Sequence, residues 1–171
     1  GEYFTLRYAG VNPATGNLLY LDAAGAVTEN PNADTDRVWI NKSIVPDWNG
    51  SFTLNADYKG FFLTTQFNYV VGVDRFDNDY ADLVDPTAVG QFNLGTDILR
   101  AWKQPGDVTD QPRFNAANLN SFGDSDRFLR SADFLRLRFA SIGYSFSSEA
   151  LDGTGFSNVR VFLNGENLMT W

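Results

Sequence analysis

The chain has 171 residues, enough for one domain with a core, and carries 13 Lys and Arg against 21 Asp and Glu, a net charge of −8. That balance argues against a nucleic-acid partner, whose phosphates need a basic surface. The absence of Cys and His excludes disulfides, thiolate and imidazole chemistry and Cys/His zinc sites, and suits an oxidising compartment.

No run approaches the roughly 18 apolar residues of a membrane helix, but a spanning β-strand needs only about 9 to 11 alternating residues. The chain opens on Gly1-Glu2-Tyr3 without an initiator Met and reads as cut from something larger. Helical periodicity is weak throughout; period-two alternation dominates.

A first strand over Glu2 to Ala9 places Phe4, Leu6 and Tyr8 together. The strongest signal is Ser51 to Val71. Phe52, Leu54, Ala56 and Tyr58 share one face, Lys59-Gly60 forms a two-residue turn, and Phe61, Leu63, Phe67, Tyr69 and Val71 continue the face. The turn predicts the register: Tyr58 opposite Phe61, Ala56 opposite Leu63, Leu54 opposite Thr65 and Phe52 opposite Phe67. Thr53, Asn55, Thr64, Gln66 and Asn68 fall on the other side, Phe62 being the exception. Trp48 extends the apolar face, which then has aromatics at both ends, as two membrane interfaces select. A soluble sandwich, with this face packed on a second sheet, is the competing reading.

From about 74 to 133 periodicity disappears, and the segment reads as a long loop region. Eight Asp lie between Asp74 and Asp110, against Arg75, Arg100 and Lys103. "DRFDNDYADLVD" fails the EF-hand spacing, so solvated carboxylates are preferred to a calcium site. Nothing sets two carboxylates on rigid strands across a cleft, so no enzyme is expected. Trp102, Phe114 and Phe122, with Asp107 nearby, are candidates for stacking on and hydrogen-bonding a substrate or partner; anchoring the loop is the alternative.

"FLRLRFASIGYSF" then alternates with a change of parity: Leu135, Leu137 and Phe139 first, Ile142, Tyr144 and Phe146 afterwards. Two readings are open. One continuous strand, rising about 2.6 Å per residue along the membrane normal, places Arg138 about 21 Å and Arg136 about 26 Å above Phe146, at the outer interface facing lipopolysaccharide phosphates. A bulge near Ala140-Ser141 would instead send both arginines into the lumen. A short turn over roughly Ser147 to Ser157 and a last alternating strand, "NVRVFLNGENL", complete about five strands, too few to close a barrel of at least about eight.

Five collinear stretches carry a family resemblance: "AGVNPATGNLLYLDAAG", "IVPDWNGSFTLNADYKGFFLTTQF", "AWKQPGDVTDQPRF", "SDRFLRSADFLRLRFASIGYSF" and "VRVFLNGENLMTW". Together they resemble the C-terminal barrel portion of SusC/RagA-type TonB-linked outer-membrane transporters of Bacteroidetes, over essentially the whole chain. Departures are the single Gly50 where the family often has two glycines, and Phe139-Ala140-Ser141 in place of a more polar stretch. The resemblance implies an all-β fold, a partial transmembrane barrel over 1–171, from a 22-stranded barrel filled by a plug domain that lies outside this chain. It implies import of oligosaccharides or peptides, a SusD-like surface lipoprotein over the extracellular loops, contact with TonB only through the upstream part, and no cofactor. The lipid-facing residues expected are Trp48, Phe52, Leu54, Tyr58, Phe61, Leu63, Phe67, Tyr69, Ile142, Tyr144 and Phe146. The alternative function is a soluble carbohydrate-binding β-sandwich that uses the acidic, aromatic loop.

Overall fold

The structure, a computed structural model, describes residues 1–119, 123 and 125–171; Phe122 lies outside the described residues. It divides into two compact units, one of Gly1–Val45 and Asp74–Ser131, the other of Pro46–Val73 and Ala132–Trp171.

The second unit is a single four-stranded antiparallel sheet. Its strands are β6 (Trp48–Tyr58), β7 (Phe61–Val71), β10 (Phe134–Ser145) and β11 (Arg160–Thr170), in the order β11-β10-β7-β6. The β6–β7 hairpin forms in the expected register, from Tyr58↔Phe61 to Phe52↔Phe67 and on to Trp48↔Val71. Its turn works because Lys59 (φ 48°) and Gly60 (φ 86°) are both left-handed, the twist that joins adjacent strands with two residues.

β10 corrects the reading of one continuous strand. Its register shifts between Leu137 and Phe139 against both neighbours: Leu137 pairs with Phe67, but Phe139 already pairs with Gln66. The extra residue is Arg138. One inserted residue restores parity, so Leu135 and Leu137 join Ala140, Ile142 and Tyr144 on the face of Tyr69, Phe67, Thr65, Leu63 and Phe61. Arg136 pairs with Asn68 and thereby leaves the apolar face. Arg138 stands at the bulge and donates to Asn167 Oδ1 at 2.8 Å; Asn167 takes a positive φ of 50° in the facing irregularity of β11. The bulge lies two residues earlier than the Ala140-Ser141 alternative placed it.

The first unit is built from short pieces: β1 (Glu2–Thr5) on β5 (Val38–Ser43), β2 (Arg7–Val11) with β3 (Leu18–Leu21) and β4 (Val27–Thr28), and β8 (Asp74–Phe76) on β9 (Leu129–Ser131). The expected opening strand is therefore two strands, broken at Leu6. The acidic stretch is not structureless. It holds α1 (Asn78–Leu83), started by the Asp77 carboxylate, which accepts from Tyr80 N–H, and several 3-10 turns. A core of Leu6, Leu18, Tyr20, Val84 and Phe128 closes this unit, with Tyr8, Phe76 and Tyr80 against it.

Candidate functional site

The two faces of the four-stranded sheet are the first candidate. Register puts Trp48, Phe52, Leu54, Tyr58, Phe61, Leu63, Phe67, Tyr69, Ile142 and Tyr144 on one side, joined by Val161 and Leu163 of β11. Phe146 follows directly, its ring 5.0 Å from that of Tyr144, which in turn meets Phe61 at 4.8 Å. Strand β6 is exposed along its whole length. On the apolar face Leu54 keeps 59% of its surface and Leu163 73%. Among the described residues no second sheet belongs to this unit. The opposite face carries Thr53, Asn55, Thr64, Gln66, Asn68, Ser141 and Asn164, with Thr64 donating to Asn55 Oδ1 at 2.9 Å.

In the first unit the turn after β2 converges on one carboxylate. Asn12 Nδ2 and Thr15 Oγ1 donate to Glu29 Oε1, and Asn17 Nδ2 donates to Oε2 at 2.7 Å. Those hydrogen bonds, Asn17's foremost, hold the Glu29 carboxyl below its ordinary pKa. Buried Asn118 treats Leu18 as a strand partner, accepting from its N–H at 3.1 Å and donating to its carbonyl at 2.8 Å, and also donates to Glu29 O at 2.7 Å.

The segment "SDRF" forms a second knot. Ser125 bridges Leu6, Asp126 Oδ1 accepts from Tyr8 N–H at 2.7 Å, and Phe128 enters the core. Arg127 donates to Asp110 O and Gln111 Oε1, with its guanidinium over the rings of Tyr8 and Phe128. Burial lowers the pKa of that guanidinium.

The three loop candidates gather round the same turn. Trp102 Nε1 donates to Pro13 O at 2.9 Å, and its ring fills the space where a side chain on residue 16 would sit. Asp107 Oδ2 accepts from the N–H groups of Lys103 and Gln104, and Gly106 N–H also reaches Pro13 O. Arg113 N–H donates to Gly16 O, leaving Phe114 next to it about half exposed. The indole N–H and the Asp107 carboxylate are thus spent on holding the loop.

Other loop carboxylates have similar duties: Asp74 pairs with Lys42 at 3.0 Å, and Asp97 and Asp110 with Arg100. Asp97 also accepts from the Tyr80 hydroxyl, whose pKa is raised, chiefly by burial. Asp79, Asp82 and Asp85 line an open depression of about 640 Å3 with Leu83 and Phe92. The sequence reading missed Glu29, Asn118 and the order within this acidic stretch. The Asn and Thr cluster in "VNPATGN" was the available signal for an acceptor.

No protein-family model matches the chain. It is similar to TonB-dependent receptor P39 of Formosa agariphila, 33% identical over 166 residues, which is 96% of this chain and 16% of that protein. TonB-dependent receptor P3 of the same organism is 27% identical over 126 residues, 74% of this chain and 12% of that one. Among solved structures, the RagAB peptide importer in its open-open state superposes with a TM-score of 0.83 at 27% identity, covering 99% of this chain and 19% of that chain. The closed-closed state gives 0.84 at 29% identity over the same shares. The chain therefore spans less than a fifth of the length of these relatives. In sequence and in fold it belongs to the SusC/RagA-type TonB-dependent transporters, as a portion of their transmembrane β-barrel.

Proposed function

We propose that this chain forms part of the barrel wall and of the loop region of an outer-membrane importer. The observation that supports this most is the four-stranded sheet, with an exposed apolar face ending in aromatics and a polar face behind it. Its 11-residue strands match the roughly 9 to 11 residues that cross a bilayer. On this reading Leu54, Leu63, Ile142 and their neighbours meet lipid, Trp48 and Tyr69 lie at one interface, and Tyr58, Phe61, Tyr144 and Phe146 at the other. The polar face, Arg136 included, looks into the lumen, and Arg138, level with Gln66 and Phe67, stays on Asn167 at the bulge.

The first unit, with its Trp102 clamp, belongs to the extracellular loops. It faces a SusD-like lipoprotein and a peptide or oligosaccharide cargo, while TonB engages another part of the polypeptide. The naming of RagAB as a peptide importer favours peptides.

The test is Leu54→Arg against Thr53→Arg in the full-length transporter, read as outer-membrane assembly and heat-modifiable mobility. A midplane Arg on the lipid face should lower stability by about 2–4 kcal/mol, while Thr53→Arg on the lumen face leaves assembly unchanged. Equal effects would overturn the assignment of faces.

A further inference from the structure

A single cation stands at the turn end of the apolar face. The three lysines of the chain are Lys42, Lys59 and Lys103, and Lys59 occupies the tip of the β6–β7 turn. Its ammonium lies 5.3 Å from the Tyr58 ring centroid. Among the described residues it pairs with no carboxylate, whereas Lys42 is held by Asp74 at 3.0 Å. Tyr58 and Phe61 on either side of the turn keep 70% and 60% of their surface. Gly60 fixes the turn against β10: Ser145 N–H donates to Gly60 O at 2.8 Å, and a Cβ on residue 60 would lie 2.8 Å from the Tyr144 ring. Lys59 is thereby held next to the row of Phe61, Tyr144 and Phe146 rings.

A ring face attracts an ammonium yet leaves most of its N–H donors free for an anion. Behind that cation runs the uncovered apolar face, with Leu54, Leu63 and Ile142 exposed along it. A soluble anion would use the lysine and not the face; a lipid with no net charge would use the face and gain little from the lysine. The molecule complementary to both is an amphiphile with an anionic head.

We propose that Lys59, between Tyr58 and Phe61, seats the headgroup of an anionic glycerophospholipid whose acyl chains lie along the apolar face. The proposal rests on that face meeting lipid. Strands β6 and β7 lead to the first unit at their Trp48 and Val71 ends. With the first unit extracellular, the turn lies at the opposite, periplasmic leaflet, where the lipid is a phospholipid and not lipopolysaccharide.

The experiment places a photo-crosslinking p-benzoylphenylalanine at Phe61 of the full-length transporter, reconstituted into vesicles of phosphatidylethanolamine and phosphatidylglycerol in equal parts. Crosslinks to phosphatidylglycerol should exceed those to phosphatidylethanolamine by about five-fold, the preference one lysine gives at a membrane surface. Lys59→Asn suits the positive φ of the turn and removes the charge; it should bring the two lipids to parity, while Lys59→Arg keeps the preference. Parity in the unaltered protein would overturn the proposal, as would a preference that survives Lys59→Asn or is lost in Lys59→Arg. Lipid crosslinks without headgroup preference would leave the assignment of faces standing and remove only this site. Crosslinks confined to protein at both Phe61 and Leu54 would show that the assignment of faces itself fails.

Discussion

The two units solve the burial problem in opposite directions. In the first, the largest apolar side chains turn inward, and Leu6, Leu18, Tyr20 and Val84 have no exposed surface at all. Polar residues are drawn in there where carboxylates, amides and backbone groups satisfy one another, as around Glu29 and Asn118. In the second, the apolar side chains line the outside of a single sheet, and order comes from strand pairing. The difference teaches two uses of apolar side chains: the first unit hides them within itself, while the second leaves a continuous apolar face uncovered by its own residues.

That contrast can be broken, and the largest effect should come from the first unit's core. Phe128→Ala removes a ring that is 2% exposed. It should cost about 3–5 kcal/mol in the local stability of the first unit, read by hydrogen exchange over 6–20 and 76–84, with protection of β6 and β7 unchanged. Loss of protection in both units together would show that they do not open separately.

Asn118→Ala leaves the Leu18 N–H and C=O without their partners. It should cost about 1–3 kcal/mol, seen as faster exchange at Leu18 and Tyr20. Deleting Arg138 removes the extra residue and leaves 134–137 in their register with β7, Arg136 still opposite Asn68. The apolar face stays intact, so assembly should fall less than with Leu54→Arg. If assembly fails completely, the bulge itself is needed.

The smallest effect concerns pH. The Glu29 carboxyl is lowered in the folded state, so its contribution is complete above its ordinary 4.5 and is lost as pH falls through the lower folded value. Exchange of the 12–17 turn should therefore rise below pH 4.5 in the native protein. In Glu29→Gln that pH dependence should be absent.

The β6–β7 hairpin was legible because it is local. A period-two pattern and a Lys-Gly turn leave only one register in which the apolar residues other than Phe62 and Val70 share a face. Strand β10 was not, because parity within one segment cannot reveal where an extra residue sits. The hydrogen bonds of β7 and β11 on either side place it at Arg138. The Glu29 cluster joins residues 12 to 17 apart, and Asn118 lies 100 residues from Leu18; no local pattern announces either. Trp102 was noticed for its ring and its neighbours, but only the fold shows that its indole N–H is spent on Pro13.

Composition and alternation alone thus determined an all-β chain with one hairpin amphipathic in the manner of a membrane strand, since side-chain parity follows from backbone geometry. Tertiary structure decided which arginine leaves the apolar face, which carboxylate the turn residues gather on, and why Phe62 stands among polar neighbours. Each of these depends on a partner distant in sequence. Phe62 is accommodated by Gly143 across the strand pair and covered by Arg160, two residues that only the assembled sheet brings to it.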